Sequence, residues 1–313
     1  EGSEYVILDQ LISNNEDIIG LVIEFHYVGK NQNKIISRRD FLLAVAGTMS
    51  LYGYDNAIGN VFRGQSISKD RIGIQLYTVR NHMASDLNNT LQRIAAIGYK
   101  EVEFAGYFDH SPEEIRNILS NEGLASPSTH VPLKFIQSSP SQIIDVALTV
   151  GHEYIVMPWI MPHQRSLNKY KEYIELFNKF GEQCQGAGLK FAYHNHDFEF
   201  EVIEGVRPMD LLLEGTDKNL VSFELDLYWI IKAGEDPLRY IKKYPNRFPL
   251  WHIKDMASDG SMRDVGEGII DFEEIFKLKK LSGLEHYYVE HDNPPNSLMT
   301  ASRSFDALLK LNI

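Results

Sequence analysis

The sequence predicts an α/β fold in which eight strand–helix units close into a (β/α)8 TIM barrel behind an N-terminal extension. The units begin roughly 25–37 residues apart, which is the spacing of parallel strand–helix repeats. Eight such units close naturally into a barrel. The competing fold, a doubly wound open sheet, would need a glycine-rich phosphate turn after the first strand, and 77–80 does not provide one. Short runs rich in β-branched and aromatic residues start near 72, 101, 125, 153, 190, 221, 250 and 286.

The segments between these strands carry helix signals. Apolar residues recur at helical spacing over 87–97, and Gly98 ends this first predicted helix. The second helix opens with a capping box of Ser111 and Glu114 around a proline, and 139–142 repeats the start signal. Apolar periodicity predicts a long helix over 170–184, shorter ones at 208–213, 237–244 and 272–278, and a closing helix around 305–309.

The composition limits the function classes. The chain has 313 residues, 43% of them hydrophobic, which is enough for one barrel of about 250 residues and an extension. A net charge of −12 argues against nucleic-acid binding, which normally needs a basic face. Cys184 is the only cysteine, so an intrachain disulfide and a cysteine-based zinc cluster are excluded.

Residues 1–68 are expected to lie outside the barrel, which should span 69–313. Paired arginines, Arg38 and Arg39, are followed by Asp40-Phe41-Leu42 and a modest apolar run, a pattern that resembles a twin-arginine export signal. We therefore expect a periplasmic protein, or a cytoplasmic one if this segment is an ordinary short helix. The apolar run is too short to stay inserted in a bilayer.

Ionisable residues end three of the predicted strands, at 221–229, 250–255 and 286–292. In such barrels the carboxyl ends of the strands form the active-site face. Imidazole and carboxylate ligands there suit one divalent cation, with Mn²⁺, Zn²⁺, Co²⁺, Fe²⁺ and Mg²⁺ as candidates. Ordinary strand-end polar groups are the alternative, but several buried charges without a cation would be costly. The predicted inner ring takes one residue from each of the fifth to eighth strands: His194, Asp226, His252 and Glu290.

From 71 to 313 the chain resembles the sugar phosphate isomerase/epimerase superfamily, the xylose isomerase-like barrels. The motifs behind the resemblance are Phe223-Glu-Leu-Asp226, Trp251-His-Ile-Lys-Asp255, Val265-Gly-Glu-Gly-Ile-Ile-Asp-Phe272 and Tyr288-Val-Glu290. The resemblance implies one divalent cation held by Glu, Asp, His and Glu from strands 5 to 8. Asp226, His252 and Glu290 match the last three of these ligands.

The first ligand position departs from the epimerase pattern. The fifth strand ends in Tyr193-His-Asn-His-Asp197, so His194 aligns with the expected glutamate and His196 is the other candidate. This is more similar to the branch that contains inosose dehydratase and enzymes acting on 3-keto-glycosides. Epimerases of the family use two opposed glutamates, and here only Glu290 remains. One base next to a metal-bound carbonyl still allows proton abstraction.

We therefore expect a metal-dependent isomerase or epimerase-like enzyme that removes a proton α to the carbonyl of a free sugar or keto-sugar. The first alternative is a lyase or hydratase that dehydrates a keto-sugar or cleaves a 3-keto-glycoside. A non-catalytic periplasmic sugar-binding protein is an alternative of another class. A metal-dependent endonuclease is disfavoured by the acidic charge. The expected partner is a small sugar or keto-sugar. Nucleic-acid binding and stable membrane insertion are not expected, and a homo-oligomer is an alternative to a monomer.

Supporting roles follow from strand-end positions and from the resemblance. Besides Glu290, the candidate catalytic residues are Lys254, which could stabilise an enolate oxygen, and His130, which could relay protons or bind a hydroxyl. The alternatives are an exposed or ion-paired lysine and a core histidine. Gly266 and Gly268 are expected to let a loop fold over the mouth and are only weak evidence for a phosphate cradle. The candidate substrate-binding residues are Glu103, His196, Trp159 and Arg263.

Overall fold

The computed structural model describes residues 71–313, and in this range eight parallel strands form a closed barrel. The described residues contain ten strands, of which all but β8 and β9 belong to the barrel: β1 Gly73–Gln75, β2 Glu101–Phe104, β3 Ala125–His130, β4 Tyr154–Met157, β5 Lys190–His194, β6 Val221–Asp226, β7 Leu250–Ile253, β8 Asp255–Met256, β9 Met262–Arg263 and β10 His286–Val289. The order around the barrel is β1-β10-β7-β6-β5-β4-β3-β2, and β8 pairs with β9 in a separate antiparallel hairpin. The predicted (β/α)8 barrel is confirmed.

Helices connect the strands on the outside of the barrel. They are α1 Arg80–Ser85, α2 Leu87–Ile97, α3 Pro112–Glu122, α4 Leu133–Ser138, α5 Pro140–Val150, α6 Leu167–Gly186, α7 Pro208–Gly215, α8 Leu227–Lys232, α9 Pro237–Lys243, α10 Phe272–Phe276, α11 Lys279–Ser282 and α12 Ser297–Lys310. Short 3₁₀ helices lie at Leu76–Val79, Pro162–Gln164 and Phe198–Phe200. Among the helices of residues 71–313, none combines the length and apolar character needed to cross a bilayer. The predicted extension 1–68 and its arginine pair lie outside the described residues.

The helix start signals are confirmed only in part. The capping box at α3 is complete, because the Ser111 hydroxyl accepts from the Glu114 amide and the Glu114 carboxylate accepts from the Ser111 amide. At α5 the predicted proline start is present, but the Ser139 hydroxyl contacts Ser138 instead of capping the helix. The additional short helix α4 immediately before it was not predicted.

The sixth strand is shorter than predicted, and this changes where two aromatic residues lie. The strand ends at Asp226, whose Oδ1 accepts the Trp229 amide 2.9 Å away and so caps α8. A side-chain acceptor at this position satisfies a free amide of the first turn and starts a helix. Tyr228 and Trp229 are therefore helical, and the predicted extension of the strand to 229 is wrong.

The barrel interior changes from apolar to polar along the strands. Tyr154, Val156, Ala192, Leu250 and Tyr288 form a small buried cluster. A much larger apolar cluster contains the remaining core side chains of strands and helices. Residues two positions further along β5, β7 and β10 share the face of the small cluster, because side chains alternate. The candidate site residues therefore stand directly above it.

Candidate functional site

Three predicted metal ligands converge at the carboxyl end of the barrel. Asp226 ends β6, His252 lies on β7, and Glu290 follows β10 directly. Each offers one ligand atom, and these atoms lie within 4.8 Å of one another. His252 Nδ1 is 2.7 Å from Glu290 Oε2 and 3.9 Å from Asp226 Oδ2. Barrel closure thus brings together groups that are far apart in the sequence.

The fourth predicted ligand, His194, lies beside this group. Its Nε2 is 3.7 Å from Asp226 Oδ2, and its Nδ1 is 3.0 Å from Glu224 Oε2. The donor atoms of His130, His194, Glu224 and His252 form a second group within 4.8 Å, which shares His252 with the first. Of the two strand-5 candidates, His194 is the one whose ring packs against His252, with centroids 4.6 Å apart.

Two completely buried carboxylates lie behind these histidines. Glu103 Oε2 is 2.7 Å from His252 Nε2 and 3.1 Å from His130 Nε2, and it also accepts from Gln75 Nε2 at 2.7 Å. Glu224 Oε2 is 2.8 Å from His130 Nε2. Protein donors therefore occupy Glu103, and the geometry gives it a positioning role where substrate binding was predicted.

Glu224 is the residue of this site to which sequence reasoning assigned no function. Its signal was present, because it lies two residues before Asp226 on the same face of β6. Both His194 and His252 point one nitrogen at a buried carboxylate and the other towards Asp226. That arrangement, a carboxylate behind an imidazole, fixes the tautomer and orientation of metal-binding histidines.

The surroundings of Glu290 favour its charged form. Burial acts to raise the pKa of Glu290, but Lys254 and His252 prevail and hold this pKa well below its usual range. Burial raises the pKa of Asp226 to about 6, against the opposing effect of Lys254 and His252. Burial acts to lower the pKa of His130, but Glu103 and Glu224 outweigh it and raise the pKa to about 9.

The residues present fit a divalent cation. Within residues 71–313, Glu224 Oε1 and Asp226 Oδ2 are buried and accept no hydrogen bond. Lys254 Nζ is 2.9 Å from Asp226 Oδ2, but this ion pair lacks hydrogen-bond geometry. Buried carboxylate oxygens with free lone pairs, next to imidazole nitrogens, are the donor set of Zn²⁺, Mn²⁺, Co²⁺ or Fe²⁺.

Lys254 lies inside the site, so the alternative of an exposed lysine is wrong, whereas the alternative of an ion-paired lysine agrees with the structure. Its side chain is almost completely buried, and Nζ is 2.7 Å from Glu290 Oε2 and 2.9 Å from Asp292 Oδ1. Burial acts to lower the pKa of Lys254, but the surrounding carboxylates prevail and raise it. The ammonium group therefore stays charged beside the candidate base.

Some of the remaining predicted residues lie at or beside the cluster, and one lies away from it. The His130 ring stacks on His252 at 5.4 Å, and its bonds to buried carboxylates favour positioning over proton relay. The rings of His196 and Trp159 meet at 4.5 Å beside the cluster, and Trp159 is 40% exposed at the mouth. Arg263 lies exposed on β9, where its guanidinium contacts the Met262 carbonyl oxygen. The structure does not bring Arg263 to the cluster.

The Asp255 carboxylate holds the glycine loop that follows β9. Asp255 Oδ2 accepts from the amides of Gly266 and Gly268, both at 2.9 Å, and its Oδ1 accepts from Met256 and Ile270. A Cβ on Gly268 would collide with the Asp255 carboxylate, which explains the glycine. Because Asp255 occupies these amides, the weak phosphate-cradle interpretation of this loop is wrong.

The fold and the motifs now assign the family. The family model of the xylose isomerase-like TIM barrel matches residues 91–308, which are 218 of the 313 residues. The chain belongs to the xylose isomerase-like TIM barrel family. The sequence-based resemblance is therefore confirmed at this level.

Individual relatives have more specific names. An inosose dehydratase from Clostridium perfringens is 32% identical over 146 residues, 41% of this chain and 48% of that protein. The chain thus spans about half the length of that curated relative. A sugar phosphate isomerase/epimerase from Parabacteroides distasonis has a similar structure, with a TM-score of 0.67 and 26% identity over 78% of this chain and 95% of that one.

A structurally similar barrel with lower sequence identity contains a bound metal. The structure of the IOLI protein contains a bound zinc atom and superimposes with a TM-score of 0.63, covering 76% of this chain and 96% of that one. Its identity of 15% shows the common fold alone.

Proposed function

We propose that this barrel binds one divalent cation and dehydrates a keto-sugar or keto-inositol by removing a proton next to its carbonyl. One observation carries the proposal: a charged carboxylate, Glu290, contacts the Lys254 ammonium at 2.7 Å beside the candidate cation ligands, whereas the strand-5 position holds His194 and no opposed second base. The inosose dehydratase relative supports elimination, and the zinc-containing barrel supports the cation.

Different residues of the site have different roles in the proposed proton removal. Asp226, His252 and Glu290 would hold the cation, with His194 beside them, and Glu103 and Glu224 would orient the histidines. When bound, the cation polarises the carbonyl and stabilises the negative charge of an enolate. The Glu290 carboxylate takes the proton from the adjacent carbon. The Lys254 ammonium stabilises the oxygen on which charge develops.

Loss of water follows from the same residues. The C–H electron pair forms the enolate, and its collapse expels the hydroxyl on the next carbon by breaking the C–O bond. Glu290 carries the proton that the departing hydroxyl needs, so water leaves and the carboxylate is restored. A single base suffices for this balanced sequence, whereas inversion at one carbon needs bases on two sides.

An unphosphorylated substrate suits the mouth of the barrel. The glycine-loop amides are bonded to Asp255, and Lys254 contacts Asp226, Glu290 and Asp292. The groups that would otherwise receive a phosphate already have anionic partners. The twin-arginine-like segment favours the same conclusion, because an exported enzyme meets free sugars and glycosides rather than phosphorylated metabolites.

The test is proton exchange and water loss by the metal-loaded protein. Protein loaded with Mn²⁺ or Zn²⁺ is incubated with an inosose in D₂O, and deuterium uptake and dehydration are followed by mass spectrometry. We expect both with the wild type and a loss of about 10²–10⁴-fold in rate for Glu290→Gln. Metal content is measured in parallel, and Glu172→Gln, at an exposed carboxylate that accepts from Lys169, serves as the matched control outside the site.

The other outcomes decide among the alternatives. Deuterium uptake without water loss would assign isomerisation in place of dehydration. Binding of the ketone without exchange would instead assign a sugar-binding protein. Full activity of Glu290→Gln would show that the base is another residue.

A further inference from the structure

Trp229 is held at a defined place beside the candidate cation site. It lies in the first turn of α8, and its amide donates to Asp226 Oδ1 at 2.9 Å. Its ring centre is 5.8 Å from Lys254 Nζ and 5.3 Å from the ring centre of His196. The indole therefore lies between Lys254, beside the candidate base, and the aromatic residues at the mouth.

His196 is held equally firmly on the other side. Its amide donates to Glu199 Oε2 at 2.8 Å, its ring stacks on Phe198 with centroids 5.5 Å apart, and Trp159 meets it edge-on. Because these contacts fix both rings, neither is free to turn away and find a partner elsewhere.

Both rings carry a buried polar nitrogen that lacks a partner. Within the part of the chain that the structure describes, Trp229 Nε1 and His196 Nδ1 are buried and make no hydrogen bond. Buried polar groups in native proteins are nearly always paired, so two unpaired nitrogens on neighbouring rings indicate partners supplied by a ligand. An indole N–H only donates, which means that its partner must be an acceptor such as a hydroxyl oxygen.

We propose that Trp229 and His196 form a polyol subsite, which binds hydroxyl oxygens on the non-reacting carbons of the substrate. The inference deepens the proposed function and rests on it for the identity of the reacting end. The substrate class is accordingly a polyhydroxylated ring ketone.

Binding of myo-inositol, which has the hydroxyls but no carbonyl, tests the subsite without relying on turnover. Isothermal titration of Zn²⁺-loaded protein is expected to show binding that weakens about tenfold in Trp229→Phe, which keeps an aromatic ring and loses one N–H donor. Tyr228→Phe is the matched control on the same helix turn, because the Tyr228 hydroxyl bonds to the Gly260 carbonyl instead. We expect its affinity to match the wild type.

Kinetics with an inosose give a second readout. Trp229→Phe should raise KM about tenfold and leave kcat nearly unchanged, since the contact is made before and during the reaction. If Trp229→Phe does not fold, His196→Phe removes the other nitrogen and keeps the ring stacking. Unaltered inositol affinity in a folded variant, or no inositol binding by the wild type, overturns the subsite. Trp229-dependent inositol binding without inosose turnover upholds the subsite and refutes the proposed reaction.

Discussion

His252 Nε2 lies 2.7 Å from Glu103 Oε2, and its Nδ1 lies 2.7 Å from Glu290 Oε2, so one imidazole joins the buried floor of the site to its candidate base. The relationship depends on barrel closure, because β2 and β7 are not neighbours in the sheet. A carboxylate in this position fixes which nitrogen is presented to a cation. The floor of the site would therefore determine which nitrogen of His252 its upper part offers to a cation.

Replacing Glu103 tests this dependence. Glu103→Gln should lower Zn²⁺ or Mn²⁺ affinity about 10–100-fold, because an amide no longer fixes the His252 tautomer. Competition with a chromophoric chelator measures the affinity. Glu101→Gln is the control on the same strand, since Glu101 bonds to His286 at 2.7 Å, away from the cation group. Equal affinities for the two variants would contradict a positioning role for Glu103.

Asp226 combines two functions that different substitutions separate. Asp226→Asn keeps a side-chain oxygen that can cap α8, and it removes the negative charge, so cation affinity should fall more than about 100-fold with little change in stability. Asp226→Ala should lose the cation and also about 1 kcal/mol of unfolding free energy. Metal titration and urea denaturation of both variants measure these effects. An Asn variant that binds metal normally would exclude Asp226 as a ligand.

The Asp255 contact predicts a strict requirement for one glycine. Gly268→Ala should reduce the free energy of unfolding by about 1–3 kcal/mol, because its Cβ displaces the Asp255 carboxylate. Gly186→Ala, in α6, meets no neighbouring atom and should be neutral or slightly stabilising. Urea denaturation compares the two. A tolerated alanine at 268 would mean that the loop has another stable arrangement.

The buried His152, which lies outside the candidate site, should make the folded protein less stable at acidic pH. Burial lowers its pKa from 6.5 to about 4, and its ring contacts the Ser126 carbonyl at 2.7 Å and the Tyr107 hydroxyl at 2.8 Å. The unfolded chain takes up a proton near pH 6.5 and the folded chain only near pH 4. About 3 kcal/mol of stability should therefore be lost as pH falls through this window.

A matched variant isolates that contribution. His152→Gln can still donate to Ser126 and accept from Tyr107, but it does not titrate. The unfolding free energy, measured by urea denaturation, should fall between pH 7 and pH 4 in both proteins. The fall should be about 3 kcal/mol smaller in the variant than in the wild type. Parallel declines in both proteins would show that His152 is protonated in the folded state.

The strand rhythm and the convergence of Asp226, His252 and Glu290 could be predicted because they depend on local patterns. Alternation along a strand and the shared carboxyl face of parallel strands are sufficient for that step. The end of β6 was missed because the apolar and aromatic residues 227–229 read as strand, although Asp226 caps a helix there.

The roles of Glu103 and Glu224 could not be predicted from local patterns. Both depend on distances across the closed barrel, where β2 meets side chains from β3 and β7. Strand position correctly placed Glu103 in the interior but could not show that protein donors already occupy its carboxylate. The position of Arg263 depends in the same way on the β8–β9 hairpin, which has no signal in the sequence pattern.

The β8–β9 hairpin is attached on three sides. Asp255 holds the glycine loop that follows it, the Tyr228 hydroxyl donates to the Gly260 carbonyl at its tip, and the Asp292 amide contacts Met262 Sδ at 3.2 Å. A hairpin held by these contacts is not expected to open and close during a reaction cycle. For the proposed dehydration, substrate and product should therefore pass a fixed edge, and added viscosity should slow the reaction very little.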